Sequence, residues 1–247
     1  MAIYLKKFGT MSQYNAYTAD TENFILPNVS LTVDNDTVHY NQNIPPTPSH
    51  DFVEIGGIKW ATMNVGANSI TDTGLYFQWG DTQGYTAAQV GSGEGKKFFS
   101  ENDCIYYNGG SYTKYNSTDG KTVLDASDDA VNAAWGGNWR MPTASEFIAL
   151  GKAVNTAWTA NYQGSGVAGL VLTSKSNGAT LFFPACGYAY NGSVRLVTID
   201  GRYWSSSLYT SYGGSYAYYF YFTDGDVKWS NYSDRCFGCP VRGVLDE

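Results

Sequence analysis

One stretch limits what this chain can fold into more than any other. Across residues 203–237, 13 of 35 positions are aromatic and five are charged, with Ser, Gly and Asp among them. An ordinary β-core draws on Val, Ile and Leu instead. Tyr gives large, stiff contact area at low entropy cost, and Ser, Gly and Asn supply adaptable polar contacts, which is the make-up of an antibody paratope. Within the stretch, Tyr216-Ala-Tyr-Tyr-Phe-Tyr-Phe-Thr-Asp224 reads with period two. Tyr218, Phe220 and Phe222 then share one strand face, and Ala217, Tyr219 and Tyr221 share the other. Either both faces are buried, or the phenylalanines feed a core while the opposite tyrosines face water. The second reading predicts Tyr219 and Tyr221 in solvent.

The chain has 247 residues, enough for one well-buried domain and a small appendage. Its formal net charge of −7 comes with no basic stripe to release counterions. Nucleic acid is therefore not an expected partner. No apolar run approaches the roughly 18 residues that cross a bilayer, so no membrane insertion is expected. The first residues lack an apolar signal-peptide core and a small-residue cleavage site. The expectation is synthesis in a bacterial cytoplasm, with no signal peptide.

Residues 1–42 read as a small β-rich module. Thr10 can cap a short helix reaching about Tyr17, and the segments on either side of Asn35-Asp36 read as a hairpin. Residues 43–51, with three prolines in four positions, read as a stiff linker. The alternative is that the N-terminal strands pack onto the larger region, residues 52–247. In that region Ser127 is the expected cap of a helix ending at Gly136-Gly137, and Thr143-Ala-Ser-Glu146 is a capping box that starts a second. Beyond Gly164 only strands and turns are expected, at 169–173, 180–184, 194–199 and through the aromatic stretch.

Several phrases recur in one known family. They are Lys59-Trp-Ala-Thr-Met-Asn-Val-Gly, Gly74-Leu-Tyr-Phe-Gln-Trp-Gly80, Trp139-Arg-Met-Pro-Thr-Ala-Ser-Glu-Phe147, Phe183-Pro-Ala-Cys-Gly-Tyr188, Tyr203-Trp-Ser-Ser-Ser207 and Pro240-Val-Arg-Gly-Val244. Together they resemble the Fibrobacter major paralogous domains, including variable proteins of diversity-generating retroelements from Bacteroides and its phages. The resemblance implies an α+β, C-type lectin fold, loop-rich, with short antiparallel strands and two helices. It also implies a ligand- or receptor-binding role as a phage tail-fibre tip or surface adhesin, on a virion or cell surface. The partner would be a protein or glycan receptor on a cell, and a homotrimer is the implied means of multiplying weak sites.

In such proteins an error-prone reverse transcriptase rewrites adenines near the 3′ end of the gene. The resemblance implies a fixed frame of Tyr203, Trp204, Ser205, Ser206, Ala217, Phe220, Phe222, Val227, Trp229, Arg235, Gly238, Val241 and Arg242. It implies a variable, ligand-binding set of Tyr209, Ser211, Tyr212, Tyr219, Tyr221, Thr223, Asp224, Asp226, Ser230, Tyr232, Ser233, Asp234 and Phe237, with Cys239. The residue types in this set are all reachable by changing adenines of an Asn codon. Lys228 is not.

Two other functions compete. A calcium-dependent lectin needs six to eight clustered hard oxygen ligands, and Trp229-Ser-Asn231 only faintly echoes that subclass. A formylglycine-generating oxidase needs paired reactive cysteines, which Cys186 and the Cys236/Cys239 pair do not reproduce. His39 and His50 both lie outside residues 52–247, leaving no His-based acid–base candidate there. No enzyme activity, metal or cofactor is expected. Trp60, Trp79, Trp135, Trp139, Trp204 and Trp229 read as packing residues, and Arg140 and Arg242 as donors to buried carbonyls or carboxylates.

Overall fold

The β-branched and aromatic residues that crowd this chain favour strands, and Gly-rich turns keep those strands short. A computed structural model describes residues 29–34, 37–42 and 50–247. The chain divides into two units, residues 1–49 and 50–247. In the first, β1 (Val29–Asp34) pairs antiparallel with β2 (Thr37–Gln42), closing on Asp34 opposite Thr37. The helix expected after Thr10 and most of the Pro-rich linker lie outside the described residues.

In the second unit, β3 (Phe52–Ile55), β4 (Ile58–Asn64), β16 (Arg242–Leu245) and β7 (Trp139–Arg140) form a four-stranded sheet in that order. The last strand thus returns between two early ones, with Val244 opposite both Trp60 and Arg140. β8 (Val154–Thr159), β9 (Gly169–Ser174) and β10 (Thr180–Pro184) make a second sheet. β5 (Tyr107–Asn108) pairs with β6 (Ser111–Tyr112), and β11 (Tyr188–Tyr190) with β12 (Ser193–Arg195). The aromatic stretch supplies β13 (Asp200–Tyr209), β14 (Tyr216–Thr223) and β15 (Val227–Asp234), with β14 central.

Among the described residues the two α-helices are α1 (Ala130–Trp135) and α2 (Ala144–Ala153). The α2 start follows its capping box: Thr143 Oγ1 accepts from the Glu146 N–H at 3.2 Å, and Glu146 accepts from the Thr143 N–H at 2.7 Å. Helix α1 begins later than expected. Asp129 is its cap, accepting from the N–H groups of Val131 and Asn132, while Ser127 sits in a preceding 3-10 turn. Gly136, at φ 67°, ends α1 as its place in the sequence suggested.

The α+β, C-type lectin expectation is corrected here. Among the described residues strand outweighs helix 40% to 16%, and the strands are spread over several small antiparallel sheets. Early stops keep both helices short, so strand pairing carries most of the backbone hydrogen bonding. Residues 194–199 also depart from expectation. Only β12 is extended there, and the chain then turns through Leu196 and Thr198 at positive φ. The turn lets Thr198 N–H reach the Ala185 carbonyl at 2.8 Å. It also brings the Arg195 carbonyl against Gly187, where a Cβ would lie 1.9 Å from it. His50 belongs to the larger unit, stacked 4.0 Å from Trp135.

The β13–β15 sheet feeds two cores. Tyr203, Phe220 and Phe222 join Trp60, Phe147 and Phe183 on one side; Trp204, Leu208, Ala217 and Tyr219 join Trp79 and Trp139 on the other. The middle of β14 is therefore buried on both faces. Full burial of each such side chain stabilises by about 1.5–3 kcal/mol.

Candidate functional site

The β13–β15 sheet carries the residues expected to bind ligand, and its two irregularities set where they point. Between Trp204 and Leu208, β13 spends four steps against two on β14. The surplus holds Ser205, whose hydroxyl donates to the Tyr218 carbonyl at 2.8 Å, and Ser206, whose N–H donates to the Pro142 carbonyl at 2.8 Å. Two extra residues preserve the alternation, so Tyr209 lies opposite Tyr216 on the face that holds Tyr203 and Phe220. In β15 a single extra residue falls between the pairs Tyr219–Asn231 and Tyr221–Lys228.

Helix α2 covers one end of the first face. Phe147 stacks on Phe220 at 5.3 Å, and Trp229 stacks on the same ring at 4.7 Å. Gly151 is needed because a Cβ there would approach the Trp229 indole to 2.5 Å. The first N–H of α2, on Ala144, donates to Ser207 Oγ at 3.1 Å. At the other end the same face carries a cluster of tyrosines. Tyr209 and Tyr232 stack in parallel at 4.0 Å, and Tyr218 meets Tyr209 edge-on at 5.2 Å. Tyr212, on the turn after β13, lies 5.1 Å from Tyr216. Tyr212 is 55% exposed and Tyr232 40%, while Tyr209, Tyr216 and Tyr218 are half-buried. The Asp234 carboxylate beside Tyr216 pushes that phenol's pKa up.

Arg235 braces this end from below. Its Nη1 donates to the carbonyls of Gly214 at 3.0 Å and Lys114 at 3.1 Å, and its guanidinium lies 4.1 Å from the Tyr112 ring centre. Burial lowers its pKa. Beside the cluster is a small depression of about 160 Å³, lined by Asn116, Lys121, Thr122, Thr210 and Gly213 among others.

The second face corrects the expectation for Tyr219. That ring is 5% exposed, edge-on to Trp204 at 5.8 Å, and its hydroxyl accepts from Asn231 Nδ2 at 3.0 Å. The face assigned to solvent lies instead over the core that holds Trp79 and Trp204. Tyr221, next on that face, is half-buried. Cys239 is also interior, at 1% exposure. Phe237 is half-buried, stacked 5.2 Å from Tyr188.

The remaining expected residues do not form one surface. Thr223, Asp224 and Asp226 sit at the β14–β15 turn, where Thr223 N–H donates to the Asp226 carbonyl at 2.8 Å. Seven residue steps of β14 separate Thr223 from Tyr216, roughly 23 Å. The turn borders an open depression of about 450 Å³ with Trp158 and Ile199. Ser211 is exposed at the tyrosine end, while Ser230 and Ser233 are half-buried along β15. Tyr216 and Tyr218 were missed, the latter because it shares a face with Phe220. Their hydroxyls were a weak signal, since Tyr203 and Tyr219 of the same sheet carry them in the interior.

The expected frame is largely interior. Tyr203, Trp204, Ser205, Phe220, Phe222, Arg235 and Arg242 have no exposed surface. Val227 and Trp229 are half-buried. Arg242 donates to Asn64 Oδ1 at 2.8 Å and to the carbonyls of Ala61, Thr62 and Phe182. Arg140 forms paired hydrogen bonds to Glu146 and Asp246. Cys104, Cys186, Cys236 and Cys239 are buried free thiols. Burial pushes their pKa values up, to about 11 at Cys104, which opposes thiolate chemistry. Among the described residues no helix is long and apolar enough to cross a membrane, and no His, Cys, Asp or Glu cluster could hold a metal ion.

A family model described as a domain of unknown function, DUF8237, matches residues 158–243. That span is about a third of the chain and takes in the whole β13–β15 sheet. No curated protein and no solved structure matches the chain.

Proposed function

We propose that this is a ligand-binding protein whose contact surface is the tyrosine cluster of Tyr209, Tyr212, Tyr216, Tyr218 and Tyr232. One observation carries the reading: five phenol rings crowd the accessible end of a sheet whose other end is sealed core. Such rings desolvate well and lose little entropy on contact, which suits them as binding anchors. The fitting role is attachment to a protein or glycan receptor on a cell, from a phage fibre tip or a surface adhesin. Multivalent display, as on a trimeric fibre, would raise weak single-site affinity.

The same surface suits a retroelement-diversified protein. Tyr209, Ser211, Tyr212 and Tyr232 can be exchanged without opening the core, and Arg235 beneath them holds backbone oxygens instead of side chains. Tyr219 and Cys239 do not fit such a variable set, because exchange there would disturb the interior.

The binding test is retention of labelled protein on a panel of bacterial cells. The triple variant Tyr209→Ser, Tyr212→Ser, Tyr232→Ser should lose cell retention while keeping the wild-type thermal transition within a few degrees, about 1 kcal/mol. Retention unchanged in the triple variant would move the ligand elsewhere. For the retroelement, the decisive finding is a nearby reverse-transcriptase gene with a template copy of the 3′ coding segment that differs only at adenines.

A further inference from the structure

We infer that the rim where the opposite face of this sheet meets the β11–β12 hairpin carries a second binding surface, one that takes an acidic saccharide, a sugar ring bearing a carboxylate. Cations and aromatic rings adjoin one another along a strip there. The Arg202 guanidinium lies 3.7 Å from the centre of the Tyr188 ring and 5.8 Å from that of Tyr221. Lys228 Nζ is 5.7 Å from the same Tyr221 ring. Past Tyr188 the strip continues through Phe237, which packs 4.5 Å from Tyr190, and ends with Arg195 lying 5.5 Å from Tyr190. Three of only 15 basic residues thus converge on one strip of a chain whose net charge is −7.

The charges are arranged for an outside partner. Arg202 is fixed by Asp200, whose Oδ2 accepts from its Nε and Nη2 at 3.1 and 2.9 Å, and its Nη1 makes no hydrogen bond among the described residues. Asp200 is itself 1% exposed, so this is an internal brace and not a surface pair. Arg195 is exposed and has no ion-pair partner among the described residues. Lys228 pairs with Asp226 at 3.1 Å, with both side chains about half exposed. Such a pair is weak and readily gives way to a better anion.

The rings narrow the anion to one attached to a flat apolar body. A uronic acid presents a C–H face to Tyr190 or Phe237 and a carboxylate to Arg195 or Arg202 within one rigid unit, so docking freezes few rotors. Arg pairs with carboxylate in a two-pronged geometry that Lys cannot match. An acidic peptide carries its carboxylates on flexible stems and loses more freedom on ordering.

The test is isothermal titration of the full chain with tetragalacturonate, with the neutral galactotetraose, and with a Glu-rich peptide. Tetragalacturonate should bind, galactotetraose should bind at least about tenfold more weakly, and added salt should weaken the acid. The double variant Arg195→Gln, Lys228→Gln changes two exposed side chains and should keep the fold, which far-UV circular dichroism checks. It should lower acid affinity by about tenfold or more. The variant Tyr212→Ser, Tyr232→Ser on the other face should leave acid affinity unchanged, separating this surface from the tyrosine cluster. Equal affinity for acid and neutral sugar, peptide binding as tight as the sugar acid, full affinity in the double variant, or no binding at all would each overturn the inference. Loss of acid binding in Tyr212→Ser, Tyr232→Ser would also overturn it.

Discussion

Phe220 and Tyr218 are two residues apart on one strand and point to the same side of one sheet, yet they lead opposite lives. Phe220 is sealed between Phe147 and Trp229, under helix α2. Tyr218 meets Tyr209 edge-on among tyrosines that reach water. Alternation decides which side chains are companions. Whether a face is covered depends on what other parts of the chain lay across it. Along this face the composition changes from Phe to Tyr where the helix cover gives way, so one strand is sealed core at one end and reaches water at the other.

That contrast can be broken most forcefully at its covered end. Phe220→Ala should cost about 3–5 kcal/mol in urea denaturation, while Tyr218→Ser should stay within about 1 kcal/mol. Similar losses at the two positions would mean that the tyrosine end is core as well. The next largest effect tests the sheet's other face. Tyr219→Ser should lose about 3 kcal/mol, because it opens a cavity beside Trp204 and strands Asn231. A stability near wild type would restore Tyr219 to the surface.

The helix cover itself can be loosened by adding one methyl group. Gly151→Ala should destabilise by about 1–3 kcal/mol despite the better helix propensity of Ala, since its Cβ collides with Trp229. A gain in stability would show that α2 rides farther from the sheet. The smallest expected effect concerns what fixes the start of α2. Burial pushes the Glu146 carboxyl up, but Arg140 and the Thr143 groups pull it further down, leaving its pKa below the ordinary 4.5. The stability it contributes is complete above pH 4.5 and drains away as pH falls through the lowered value. Acid titration of the melting point should show that loss, about 1 kcal/mol given partial exposure, and Glu146→Gln should remove that part of the slope.

Much of this was legible locally and little of it globally. The capping box at Thr143 and Glu146 lies within four residues, and the helix starts where it predicts. The alternation of β14 is likewise a short-range signal, and Phe220 and Phe222 do share a face with Tyr218. The error at Tyr219 has a long-range cause: Trp79, which roofs the other core, is 140 positions away in the chain. The shift of the α1 cap from Ser127 to Asp129 is a choice between two acceptors two positions apart, which spacing alone does not rank. The turn at 196–199 was hidden because three apolar residues in four read as strand, while close approach to Gly187 forces the bend. The Arg202–Tyr188 stack joins two separate sheets, and no pattern within either strand announces it.

Arg235 and Arg242 grip main-chain oxygens: Lys114 and Gly214 for the first, Ala61, Thr62 and Phe182 for the second. A clasp of that kind is blind to which amino acid supplies the oxygen. Segments fastened this way can take other side chains and still follow the same path.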